Sequence, residues 1–296
     1  MAQTIEQTVR TPADMLRFTA PDGRRLAYFD TGGAKPPVLC LAGLSRNSRD
    51  FSDLAAALAP THRVIRLDSR GRGGSERAVD PHSEYSVPVE AGDAVALMDH
   101  LSLTRAHLIG TSRGGILSMA IAGGQPERVA SVVLNDIGAV VEGRGLLRIL
   151  SYLGRGPAAP DFETAAKDLQ KAHRRDFPDV PIEEWRRQAH RLYDDLGGRP
   201  TLAYDQRLRL AVGGAIDIGE EKVRLWPLFE ALKDKPVLVI RGENSDVLST
   251  ETLDEMRAAH PNMTALTLAG RGHAPFLNEP DAVAAIRAHL ARADAA

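Results

Sequence analysis

Ala106-His107-Leu108-Ile109-Gly110-Thr111-Ser112-Arg113-Gly114-Gly115-Ile116-Leu117-Ser118-Met119-Ala120-Ile121-Ala122 is the stretch on which the reading of this chain turns. Its first four residues form an apolar run of strand length, and residues 116–122 form an apolar run with a helical pattern. Between them lies Gly110-Thr111-Ser112-Arg113-Gly114-Gly115, a Gly-x-Ser-x-Gly sequence placed where a strand would hand over to a helix. A sharp turn there would hold Ser112 in a strained backbone conformation. Side chains two positions before and after it would collide, which is why both positions call for glycine. Ser112 would then stand at a helix N-terminus, where unpaired N–H groups and the helix dipole favour developing negative charge. The alternative role for such a serine is capping that helix.

Outward from this turn, β-rich runs alternate with helical patterns, the rhythm of a mostly parallel sheet covered by helices on both faces. Strands are expected over 15–19, 26–30, 37–41, 63–68, 106–110 and 131–135, with Pro21-Asp22-Gly23 turning the first into the second. Helices are expected over 51–58 and 87–101, the second carrying an apolar face of Val89, Ala94, Val95, Leu97, Met98 and Leu101. From about residue 139 to 222 the rhythm breaks into helical, Arg-rich and acidic segments punctuated by proline and glycine, with no convincing strand pair. This stretch reads as an insertion with helices over 162–172 and 182–196, closing through Gly213-Gly214. Strands resume over 236–241 and 264–268, and a helix over 282–291 ends the pattern.

The 296 residues suffice for one large domain with an insertion, or for two small domains. A 43% hydrophobic and 26% charged composition is that of a globular chain, and a net charge of −2 carries no electrostatic footprint for nucleic acid or an anionic membrane. The expected partner is therefore a small molecule. The start Met1-Ala2-Gln3-Thr4-Ile5-Glu6-Gln7 shows no secretory pattern, no apolar run approaches the ~20 residues of a membrane span, and the lone Cys40 fits a reducing compartment; the expected location is the cytoplasm.

A general base for Ser112 must come from nine histidines. His273 stands apart, on a glycine- and proline-flanked loop, Gly270-Arg271-Gly272-His273-Ala274-Pro275-Phe276, after the last strand. His100, His190, His260 and His289 fall in or beside helices, and His107 begins a strand. No pair has His-Glu-x-x-His or other metal-ligand spacing, so no metal is expected. An orienting carboxylate belongs on another loop after a strand. Gly242-Glu243-Asn244-Ser245-Asp246 follows the 236–241 strand, making Asp246 the expected acid. Asp136, in Leu134-Asn135-Asp136-Ile137-Gly138, is the competitor, its other role being to cap and support the entry to the insertion; Glu243 ranks third. The apolar run 38–41 gives way to Ala42-Gly43-Leu44-Ser45-Arg46-Asn47, a small-residue loop suited to supply the backbone N–H of Leu44 to an oxyanion, with that of Arg113 as second donor.

Together these residues resemble the α/β-hydrolase superfamily over essentially the whole chain. Leu67-Asp68-Ser69-Arg70-Gly71-Arg72-Gly73-Gly74-Ser75 looks like the loop that family carries after its fourth strand; a dinucleotide fingerprint is disfavoured because position 76 is Glu76. The Ala42-Gly43-Leu44 loop departs from the His-Gly start frequent in the family's lipases. The resemblance implies an eight-stranded core over 1–138 and 223–296, with a helical cap over 139–222 inserted after strand six. Leu150, Tyr152, Leu153, Trp185 and Tyr193 are its candidate pocket residues. It implies no cofactor. A serine at the elbow argues against the family's dehalogenases and epoxide hydrolases, which use aspartate. The expected activity is cleavage of a small ester, lactone or similar acyl compound, with Ser112, His273 and Asp246 as the working residues. A carbon–carbon bond hydrolase and a ligand receptor on the same fold are the alternatives.

Overall fold

The runs Pro37–Leu41, Ala106–Thr111, Val129–Asn135 and Val237–Gly242 are buried along nearly their whole length, as befits strands covered on both faces. The computed structural model describes residues 14–215 and 222–295. In chain order the strands are β1 (Leu16–Thr19), β2 (Arg25–Asp30), β3 (Pro37–Leu41), β4 (Arg63–Leu67), β5 (Ala106–Thr111), β6 (Val129–Asn135), β7 (Val140–Glu142), β8 (Tyr193–Leu196), β9 (Arg199–Leu202), β10 (Lys222–Arg224), β11 (Val237–Gly242) and β12 (Met263–Leu268). Eight of them form one sheet in the order β1-β2-β4-β3-β5-β6-β11-β12. β1 pairs antiparallel with β2, and β2 antiparallel with β4; from β4 through β12 every pairing in this sheet is parallel. The expected mostly parallel, eight-stranded sheet is the one observed.

Alternate residues of each central strand feed two cores. Leu39, Leu41, Leu108, Val132 and Leu134 pack with helices Val87–His100 and Arg113–Gly124 on one face. Val38, Cys40, Ile109 and Val133 pack with helices Ser52–Leu58 and Pro280–Asp294 on the other. Cys40 is fully buried, and desolvation pushes its thiol up to about 12, so it is an inert core residue.

Among the described residues between β6 and β11, none adds a strand to this sheet. β7 and β10 pair with each other, and helices Phe162–His173 and Ile182–Leu192 pack around a separate apolar cluster that includes Ala166, Phe177 and Trp185. Two expectations need correction here. The helix over 182–196 stops at Leu192, because β8 and β9 form a hairpin whose two-residue turn, Gly197-Gly198, has φ of 63° and 89°. Both glycines occupy the left-handed region that a tight hairpin turn demands, and Asp195 Oδ1 accepts the Gly198 N–H at 2.6 Å. Gly213 and Gly214 lie within helix Leu208–Ala215 rather than in a closing turn. Among the described residues no helix is long and apolar enough to cross a membrane, and residues 1–7 lie outside them.

Candidate active site

The strand order reverses between β3 and β5: β4 lies outside β3 on one side, while β6, β11 and β12 extend on the other. Loops leaving the carboxyl ends of β3 and β5 therefore diverge and leave a crevice, the usual ligand position in an open α/β sheet. Ser112 stands there between β5 and helix Arg113–Gly124, with φ 51° and ψ −115°. A Cβ on Gly110 would collide with the Gly114 carbonyl, and one on Gly114 with the Leu41 carbonyl, so the strand-to-helix turn closes only with glycine at both positions. The Ser112 side chain makes no capping hydrogen bond.

It turns instead to His273, whose Nε2 lies 3.0 Å from Ser112 Oγ. Asn135 steadies the histidine loop by donating from Nδ2 to the Pro275 carbonyl at 2.9 Å. On the far side of the ring, Nδ1 lies 2.7 Å from Asp136 Oδ2. Asp136 is fully buried, and Oδ1 accepts the Gly242 N–H at 2.8 Å while Oδ2 also accepts the Ser245 hydroxyl at 2.6 Å. A carboxylate so completely engaged is held rigidly against the imidazole.

Asp246 therefore does not take the place expected of it. Its carboxylate pairs side-on with Arg148, with Nη2 at 2.7 Å from Oδ1. Burial works against ionisation of Asp246, but the Arg148 hydrogen bonds prevail and hold its carboxyl below the usual range. The pairing of β6 with β11 explains the exchange. Asn135 lies opposite Ile240, so Asp136 emerges directly beside the start of the β11 loop. That loop turns at Gly242, whose carbonyl accepts the Ser245 N–H, and it delivers Ser245 to Asp136 while Asp246 is carried on toward Arg148. Glu243 accepts the Gly270 N–H instead.

The two loops expected to donate to an oxyanion are linked by buried charges that sequence reading missed. Arg72 donates from Nε to the Leu44 carbonyl at 2.7 Å and from Nη1 to Glu90 Oε1 at 2.6 Å. Glu90 Oε2 accepts from Arg113 Nε at 2.7 Å. Burial raises the Glu90 pKa, but the two guanidiniums outweigh it and hold the group below the ordinary value. One carboxylate thus ties the Leu44 loop to the residue after Ser112. Only the recurrence of arginine around the glycines of 70–74 hinted at it.

Above Ser112 and His273 lies a cavity of about 440 Å³. Leu44 and Arg46 line it from the sheet side; Tyr152, Phe177, Trp185 and Tyr193 line it from the segment between β7 and β10. Leu150 and Leu153, also expected there, pack in the apolar cluster around Tyr85 and Tyr204. His173 stacks on Trp185 with centroids 5.5 Å apart, and burial together with the Arg148 charge pushes its imidazole down to about 4, so it faces the cavity uncharged at neutral pH.

Comparison with known proteins bears on this geometry. The family described as alpha/beta hydrolase fold matches residues 36–280. The 3-hydroxybutyrate-oligomer hydrolase of Cupriavidus necator is 35% identical over 88% of this chain and 90% of its own. The 2-(acetamidomethylene)succinate hydrolase of Mesorhizobium japonicum is 27% identical over 83% and 84%. The crystal structure of an alpha/beta hydrolase from Novosphingobium aromaticivorans superposes with a TM-score of 0.87 at 41% identity, covering 95% of this chain and 100% of that one.

Proposed function

The chain belongs to the α/β-hydrolase fold family, and on that premise we propose that it is a serine hydrolase cleaving a small carboxylic ester through an acyl-enzyme intermediate. The observation that carries this is the continuous path from Asp136 through His273 to Ser112 on the floor of the cavity. Ser112 Oγ attacks the ester carbonyl as its proton passes to His273 Nε2. Asp136 holds the tautomer with the proton on Nδ1 and stabilises the imidazolium that forms. The backbone N–H groups of Leu44 and Arg113 meet the oxyanion. His273 then protonates the departing alcohol, and a water deprotonated by the same nitrogen releases the acid and restores Ser112.

The segment between β7 and β10 acts in this reading as the cap that selects the substrate. Arg46, Arg148 and Arg155 face the cavity; Arg46 and Arg148 already hold Asp50 and Asp246, whereas Arg155 has no ion pair among the described residues. An ester that also bears a free carboxylate suits such a lining. Both relatives named above carry names of carboxylate substrates, which supports the same class.

A fluorophosphonate should label the wild-type chain on Ser112 and leave Ser112→Ala unlabelled, and the wild type should hydrolyse an aryl ester and the dimer of 3-hydroxybutyrate. Failure of both labelling and ester turnover, with hydrolysis of a vinylogous diketone instead, would overturn the ester assignment.

A further inference from the structure

At the opposite end of the sheet, where the parallel strands begin, His62, His107 and Asp294 converge. His62 directly precedes β4, His107 is the second residue of β5, and Asp294 ends the last helix. Each imidazole presents Nε2 to a different carboxylate oxygen: His107 to Oδ1 at 2.9 Å and His62 to Oδ2 at 3.1 Å. The three ligand atoms lie within 4.8 Å of one another. Both histidines are buried, at 4% and 3% exposed, while the Asp294 side chain is 33% exposed and leaves one side open to water.

The hydroxyl groups behind the rings are placed to accept from Nδ1, which would leave each Nε2 free to ligate. Thr61 Oγ1 lies 3.2 Å from the Leu58 carbonyl and 2.9 Å from His62 Nδ1, so when its proton goes to the carbonyl its oxygen accepts from Nδ1. A neutral His62 with its proton on Nδ1 then points a lone pair from Nε2 at a carboxylate oxygen. In that tautomer two acceptors face each other at hydrogen-bond distance, and a cation between them satisfies both; in the other tautomer Nε2–H donates to the carboxylate. Ser131 Oγ stands 2.8 Å behind His107 Nδ1 and can accept from it in the same way. An imidazole whose rear N–H is fixed by a neighbouring oxygen is the usual form of a metal-ligating histidine.

We propose that His62, His107 and Asp294 form a binding site for a divalent cation of the zinc class, remote from the active site, with water completing the coordination. Two imidazole nitrogens and one carboxylate suit zinc, whose ligand atoms stand about 3.3 Å apart in a tetrahedron with bonds of about 2.0–2.1 Å. The two imidazole nitrogens stand 2.9 and 3.1 Å from different oxygens of Asp294, and with all three ligand atoms within 4.8 Å of one another the side chains would draw together around one ion. The ion would pin the end of helix Pro280–Asp294 to the entry of β4 and β5, stabilising the fold rather than entering the reaction.

Zinc chloride titrated into the full-length, chelator-treated protein at pH 7.5 tests the site by calorimetry and thermal melting. The expected result is one equivalent bound and, at zinc one hundred-fold above Kd, a melting temperature raised by about 5 °C. Asp294→Asn, on a partly exposed helix end where folding is not at risk, should weaken binding at least tenfold, and His62→Gln should remove it. His273→Ala should bind as the wild type does, which separates this site from adventitious binding at the active-site histidine. No saturable zinc binding, undiminished binding by Asp294→Asn and His62→Gln, or loss of binding in His273→Ala would each overturn the proposal; the first would leave a proton, not a metal, between His62 and Asp294.

Discussion

Two serine, histidine and aspartate assemblies stand at opposite ends of the same parallel strands. At the carboxyl end His273 bridges Ser112 and Asp136, at 3.0 and 2.7 Å; at the amino end His107 bridges Ser131 and Asp294, at 2.8 and 2.9 Å. Residue types and distances nearly coincide, yet the two can do different things. Ser112 sits on a strained turn, at a helix N-terminus, in the wall of a cavity. Ser131 is fully buried within β6, opposite a register irregularity between Ala106 and Leu108, and no substrate carbonyl can approach it. The carboxylates are reversed as well: Asp136 is sealed and saturated with donors, whereas Asp294 is partly open to solvent and shared by two histidines. In the proposed function, what sets Ser112 apart as the nucleophile is exposure, backbone strain and electrostatic preorganisation, added to a hydrogen-bonded triplet that both ends share.

The comparison breaks most readily at the two serines. Ser112→Ala should lower kcat/KM for an aryl ester by about 10⁴ to 10⁶-fold, while Ser131→Ala, measured in the same assay, should stay within about twofold of wild type. Comparable losses in both would mean that the two ends of the sheet are not functionally distinct. The acids come next. Asp136→Asn should reduce kcat by about 10⁴-fold through the wrong imidazole tautomer. Asp246→Asn should cost less than about tenfold, mainly in KM, because it frees Arg148 at the cavity wall. A severe kcat loss confined to Asp246→Asn would restore that residue to the histidine. Glu90→Gln, which strands two guanidiniums around the Leu44 and Arg113 loops, acts on a similar modest scale. It should lower stability by about 3 kcal/mol in denaturant titration and reduce kcat by roughly tenfold.

The least effect concerns pH at the amino end. Burial, reinforced by Arg292 and His107, pushes His289 down to about 4, below the ordinary histidine value of 6.5. Between those values the unfolded chain binds the proton and the folded chain does not, so this contribution is complete above pH 6.5 and is lost as pH falls toward 4. The loss should be of the order of 2–3 kcal/mol. His289→Leu should therefore show a flatter dependence of melting temperature on pH between 7 and 4.5, and an unchanged slope would place the titration elsewhere.

All eight strands of the main sheet were legible within two residues of the expected bounds, the central ones most plainly, because a strand buried on both faces carries its signal in consecutive apolar residues. The turn around Ser112 was legible for the same reason: a close approach of backbones within five residues writes itself as glycine. The β8–β9 hairpin lay in the local Gly197-Gly198 signal but was masked by the helical pattern before it. Other features had no local signal at all. The choice of Asp136 over Asp246 depends on Asn135 standing opposite Ile240, a pairing between strands rather than a pattern within one. His273 and Asp136 are 137 residues apart in sequence, and His62 and Asp294 are 232 apart. The sequence by itself determined which segments must be buried and where the backbone must turn, since burial and turning are properties of neighbouring residues. Only the tertiary structure decided which acid meets which histidine, because that depends on the register of paired strands and on where each loop delivers its side chains.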